Sequence, residues 1–138
     1  MAITFQYQDI KFRLKDVTKI KAWIREIISL EKKKTGQINI VFTSDASLLE
    51  TNIRFLDHDT YTDIITFDYC EGQTISGDIV ISTERVADNA AKYGVPFQEE
   101  LRRVMIHGVL HLCGYKDKTR KEAEEMRGKE SWALKKAP

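Results

Sequence analysis

The sequence predicts an α+β domain: a small mixed β-sheet of about four strands covered by helices, one of them central, buried and carrying two histidines. Three observations predict it. Stretches of period-two alternation and stretches of helical periodicity follow one another along the chain. The 138 residues, 42% hydrophobic and 31% charged, suit a single domain spanning 1–138 with a sizeable core. Residues 97–113 are apolar nearly all round, as a helix enclosed by the rest of the fold must be.

Taken in order, Ile3, Phe5 and Tyr7 alternate with Thr4, Gln6 and Gln8, the pattern of a half-buried strand over residues 2–8. Ile10, Phe12 and Leu14 continue the alternation and predict a short second strand or hairpin arm. From Val17 the period changes, and Ile20, Trp23, Ile24, Ile27 and Leu30 predict an amphipathic helix. Lys32, Lys33 and Lys34 suit the negative end of its dipole, and Gly36 is its expected stop. Ile38, Ile40, Val41 and Phe42 mark a buried strand over 37–43. Ser44 or Asp45 then caps a shorter helix with Leu48, Leu49 and Ile53. Strand, helix and next strand predict a crossover between parallel neighbours.

Residues 62–69 form the expected third strand and 78–81 the fourth, joined by a turn at 71–76 containing Gly72 and pairing antiparallel. Ser82 or Thr83 caps a helix with Val86, Ala90 and Tyr93 inward, ending at Gly94. Pro96 suits the first turn of the central helix, whose apolar residues are Leu101, Val104, Met105, Ile106, Val109, Leu110 and Leu112. Thr119 and Glu122 have capping-box spacing and open a last helix with Ala123, Met126 and Trp132.

No apolar run approaches the roughly 20 residues that span a bilayer, and MAITFQYQDI does not read as a secretory signal. Two cysteines, Cys70 and Cys113, make no disulfide framework, so a reducing cytoplasm is expected. The net charge of +1 conceals segregation. Residues 11–34 hold nine basic side chains against three acidic, and 102–138 hold ten against five. Residues 45–71 hold seven acids against Arg54 alone. Either each charged helix solvates itself, or a basic surface for a polyanion lies beside an acidic pocket for a cation.

The chemistry concentrates in His107-Gly108-Val109-Leu110-His111-Leu112-Cys113-Gly114-Tyr115-Lys116-Asp117. His107 and His111 stand four apart on a helix, so both imidazoles reach one point, as two ligands from one element must. Gly114 ends the helix, and Asp117 follows as a carboxylate able to fold back. A His-His-Asp set leaves one coordination position for water, the pattern of a catalytic zinc, one per chain. The carboxylate also admits Mn²⁺, Fe²⁺ or Ni²⁺. The spacing is that of a zincin helix, but Gly108 stands where the protease motif carries its general-base glutamate, which excludes that protease reading. An iron-oxygenase triad is disfavoured by the helix-rich pattern. Cys113, two positions after His111, is expected in the core, and His58 on the surface.

These residues resemble the HGxLHLxGYDH motif of the YbeY family, bacterial endoribonucleases that mature ribosomal RNA. The resemblance extends to the stretch from Asn52 through Asp59, Thr62 and Asp63 to Phe67, to Gly77-Asp78-Ile79, and to Glu122-Ala123 with Met126. It implies a metal-dependent, single-strand-specific endoribonuclease acting near the 3′ end of small-subunit (16S) ribosomal RNA and in ribosome quality control. Ribosomal RNA and the small ribosomal subunit are the implied partners. The rival expectation is a non-catalytic ribosome-assembly factor that binds RNA and uses its metal as a staple.

Two positions depart from the family pattern. Asp117 replaces the usual third histidine, and Leu56 stands where an arginine is expected. Arg54 would face the same side as Leu56 in an extended segment but not in a helical one. Asp63 either satisfies backbone amides at a strand end or orients the site. Lys116, Lys118 and Arg120 flank the motif, either solvated or holding an RNA backbone.

Overall fold

Alternation and helical periodicity resolve into nine elements in the computed structural model, which describes residues 2–56 and 62–138. They are β1 (Ile3–Gln8), α1 (Val17–Leu30), β2 (Lys34–Thr43), α2 (Asp45–Leu56), β3 (Ile64–Asp68), β4 (Thr74–Ser82), α3 (Thr83–Tyr93), α4 (Phe97–Leu112) and α5 (Arg120–Leu134). The strands form a mixed sheet in the order β1-β2-β4-β3, with β1, β2 and β4 parallel and β3 antiparallel to β4.

The pairing register sorts the side chains of the sheet. Phe5, Ile40, Ile79 and Thr66 share one cross-strand row, so their face carries most of the large apolar side chains. α1 and α4 cover that face, and Ile20, Ile24, Ile27, Val104, Met105 and Val109 are fully or almost fully buried there. Each such aliphatic side chain stabilises the fold by roughly 1.5–3 kcal/mol relative to exposure. The next row, Thr4, Asn39, Asp78 and Phe67, faces the other way. There the Thr4 hydroxyl donates to Asn39 Oδ1 at 2.6 Å, and Asn39 Nδ2 donates to Asp78 Oδ1 at 2.9 Å.

α4 rests on the sheet through Gly108. A Cβ there would lie 2.9 Å from Ile79 Cγ2 and 3.0 Å from Ile64 Cδ1, closer than carbon atoms pack. The expected caps are present at α3 and α5. Ser82 accepts from the Arg85 amide, Gly94 closes α3 at φ 68°, and Thr119 and Glu122 form a reciprocal capping box.

Several expectations are corrected. Residues 10–14 form no strand: Phe12 turns inward against Phe42 and Phe97, at 5.3 and 5.7 Å between ring centroids, and the Tyr7 hydroxyl accepts from the Leu14 amide. Gly36 does not stop α1, which ends at Leu30, with Lys32 in the left-handed region. Gly36 lies inside β2, where a Cβ would run into Ser76 Oγ and the Ile75 carbonyl. β2 and β3 are not parallel neighbours, because β4 lies between them; the adjacent parallel pair joined through a helix is β1 and β2. Ile53, Tyr93 and Ala123 face solvent, Tyr93 at 57% exposure. His58 lies outside the described residues. Among the described residues no helix is long and apolar enough to cross a membrane.

Candidate metal centre

With Gly108 turned to the sheet, the neighbouring His107 emerges on the flank of α4 that meets α5. Gly114, at φ 112°, takes the chain off the end of α4. The loop that follows is anchored at Tyr115, whose hydroxyl donates to Glu31 Oε1 at 2.7 Å. Lys129 of α5 reaches the other oxygen of Glu31 at 2.8 Å, so α1 holds both the loop and α5 in place. Asp117 lies on that loop, and its Oδ2 is 3.3 Å from His107 Nε2. The other ring nitrogen, Nδ1, is 2.6 Å from Glu130 Oε2.

Glu130 is 4% exposed and accepts from Arg103 Nη1 at 2.9 Å through its second oxygen. Arg103 in turn grips the buried Glu100 with two hydrogen bonds, Nε to Oε1 at 2.9 Å and Nη2 to Oε2 at 2.6 Å. A continuous chain results: Glu100, Arg103, Glu130, His107, Asp117. Burial penalises the charged form of every buried member, yet the mutual pairing outweighs it. Glu130 sits below its ordinary carboxylate value despite burial, because His107 and Arg103 bind its ionised form. His107 is raised despite burial, by the hydrogen bond and charge of Glu130 and then by Asp117 and Asp63. Arg103 is raised by Glu100 first, and its charge is permanent.

Asp63 shares a small cavity with Ile64, Val104, Arg103 and His107. Burial pushes its carboxyl up, against the opposing charges of Arg103 and His107. Its Oδ2 accepts from Asn89 Nδ2 at 3.5 Å and its backbone carbonyl accepts from the Ser82 amide, so it serves the strand end and faces the site at once.

The donors fit a tetrahedral ion in part. Two ligands at 2.0–2.2 Å from such an ion stand about 3.3–3.6 Å apart, the spacing found between His107 Nε2 and Asp117 Oδ2. A carboxylate on Nδ1 is the arrangement that directs the Nε2 lone pair outward for coordination. His111 is exposed one turn further on, near enough to Asp68 to help lower that carboxyl, which hydrogen bonds from Cys70 lower first. Among the described residues no three metal-binding side chains converge.

Lys116, Lys118 and Arg120 are exposed, and Arg120 pairs only weakly with Glu124 at 3.5 Å. Arg54 is exposed on α2, and that segment is helical rather than extended. Cys113 packs against the core, and burial pushes its thiol up to about 12. Sequence reasoning missed Glu100, Arg103 and Glu130. Glu130 was detectable: it follows Met126 by four on the inward stripe of α5, a place for an apolar residue unless a partner waits.

The family model described as endoribonuclease YbeY matches residues 2–137. The chain belongs to the YbeY family. A YbeY endoribonuclease of Flavobacterium psychrophilum is 51% identical over 133 residues, covering 96% of this chain and 94% of that protein. One from Bacteroides fragilis is 47% identical over 136 residues, covering 97% and 96%. The solution structure of a Thermotoga maritima protein superposes with a TM-score of 0.68 at 27% identity, over 98% of this chain and 88% of that one. The α+β architecture of this YbeY chain is therefore shared with a solved structure.

Proposed function

We propose that this YbeY-family chain is a metal-dependent, single-strand-specific endoribonuclease that matures the 3′ end of small-subunit (16S) ribosomal RNA and serves ribosome quality control. In this reading it is one domain, works in the cytoplasm and meets the small ribosomal subunit. The observation that carries the chemistry is His107, tied at Nδ1 to a buried carboxylate while Nε2 faces Asp117. His107, His111 and Asp117 would hold one zinc ion, and the carboxylate leaves Mn²⁺, Fe²⁺ or Ni²⁺ admissible. When bound, such an ion supplies Lewis acidity, acidifying a water and polarising a phosphoryl oxygen.

The chain's own residues do the rest. Glu130 holds the proton on Nδ1 and with it the orientation of the ring. Asp63, its proton affinity raised by burial, faces His107 across a small cavity and is placed to take up a proton there. Lys116, Lys118 and Arg120 offer cations to the RNA backbone beside the centre, and Arg54 offers one further off on α2. The endoribonuclease names of the relatives give no support to the rival in which the metal is only a staple.

The purified protein, with its metal content measured, is to be assayed on single-stranded and duplex RNA. His111→Ala is expected to lose metal and cleavage together, with duplex RNA spared by the wild type. Cleavage that persists with no metal bound would overturn the mechanism.

A further inference from the structure

The cleft at His107 does not end there. Arg103, Arg127 and Glu130 line both the cleft holding His107 and Asp117 and a larger cavity of about 340 Å³ between the C-terminal end of α3, α4 and α5. Tyr93, Val95 and Leu134 form the far wall of that cavity. We infer that this groove seats one nucleotide of the RNA strand beside the scissile phosphodiester, its base on Tyr93 and its phosphate on Arg103 and Arg127. The inference rests on the endoribonuclease reading above and names the subsite that reading needs.

The volume lies in the range of small-molecule sites, and its walls combine apolar surface with a few placed donors, as such sites do. Arg103 is held rigidly by Glu100 and Glu130, which use three of its five N–H groups. One N–H on each terminal nitrogen is left for the two non-bridging oxygens of a phosphate, a match that a planar guanidinium makes well. Arg127 is exposed and enters no ion pair among the described residues.

Inside the groove Glu100 and Glu130 both pair with Arg103. Glu99 at the same cavity is opposed by Arg127 and the neighbouring Lys92. Tyr93 is the unexpected member: its helical position predicts an inward ring, yet it is 57% exposed at the groove's rim. Lys92 Nζ lies 5.9 Å from the ring centroid, so the ring has a cationic neighbour of its own. A base can reach Tyr93 only when it is out of a duplex stack, so the subsite itself selects single strands.

The test is Michaelis kinetics of the metal-loaded protein on a single-stranded RNA oligonucleotide at several salt concentrations, with metal content measured for each variant. Tyr93→Ala is expected to raise KM about tenfold or more while kcat stays within about twofold. Tyr93→Trp, which keeps a stacking face, restores KM; a purely structural tyrosine would not be rescued this way. Arg127→Ala flattens the dependence of log kcat/KM on log salt by about one. A wild-type KM in Tyr93→Ala, with an active parent enzyme, overturns the subsite and leaves the endoribonuclease reading standing. A parent that neither binds nor cleaves single-stranded RNA overturns both.

Discussion

His107 and His111 occupy successive turns of α4 and carry the same side chain, but their surroundings differ completely. His107 is gripped on both ring nitrogens, by Glu130 at 2.6 Å and Asp117 at 3.3 Å, inside a chain of charges that reaches Glu100. His111 is exposed, and its charge contributes only the smallest cause of the lowering of Asp68 on β3. Helical spacing therefore places two imidazoles a turn apart, whereas one carboxylate on α5 and one on the preceding loop decide which is pre-oriented. One histidine is held by the fold, and the other is left exposed.

The sharpest way to break that contrast is to remove Glu130. Glu130→Leu leaves Arg103 and His107 without their shared carboxylate and is expected to cost about 3 kcal/mol of stability, since breaking a buried ion pair strands its partners. The measurement is chemical denaturation of the metal-free protein across pH. Glu130 is depressed from its ordinary 4.5, so its contribution is present above that pH and disappears as pH falls through the folded value. His107 is raised from 6.5, so its share is complete below that pH and disappears as pH climbs through its own folded value. The gap between wild type and variant should be widest between the two. A gap below about 1 kcal/mol throughout would mean that the network is incidental.

A gentler change separates charge from shape. Glu130→Gln keeps a hydrogen-bond acceptor but removes the negative charge behind the ring, and zinc affinity should fall about 10- to 100-fold in competition with a chelator. An unchanged affinity would mean that Nδ1 needs only an acceptor. The smallest effect belongs to the other histidine: His111→Ala should leave the stability of the metal-free protein within about 0.5 kcal/mol of wild type. A loss near that of Glu130→Leu would abolish the distinction between the two turns.

Much of this was legible in the chain. Local rules act over a few residues, so the alternation of β1, the all-round apolarity of α4, the Gly94 stop and the Thr119–Glu122 box all read correctly. Strand neighbours were less legible. The choice of β4 rather than β3 beside β2 is made across the sheet, where Ile40 meets Ile79, and periodicity within a segment does not contain it. In the site, the spacing of His107 and His111 was visible because both are on one helix. Glu130 is 23 residues from His107 and comes to it only through the packing of α5 on α4. Tyr93 has the helical phase of a core residue, but it lies at the last turn of α3, where among the described residues no further element covers it from solvent.

Gly108 bears on what this scaffold is able to become. Its α-carbon is pressed against Ile79 and Ile64, so any side chain added there grows into the layer between helix and sheet. A glutamate at 108 would complete the letters of a metalloprotease motif while driving a carboxylate into that layer, where it would be buried without a partner. The close approach of helix and sheet at this one position therefore shuts the scaffold to a general base placed there.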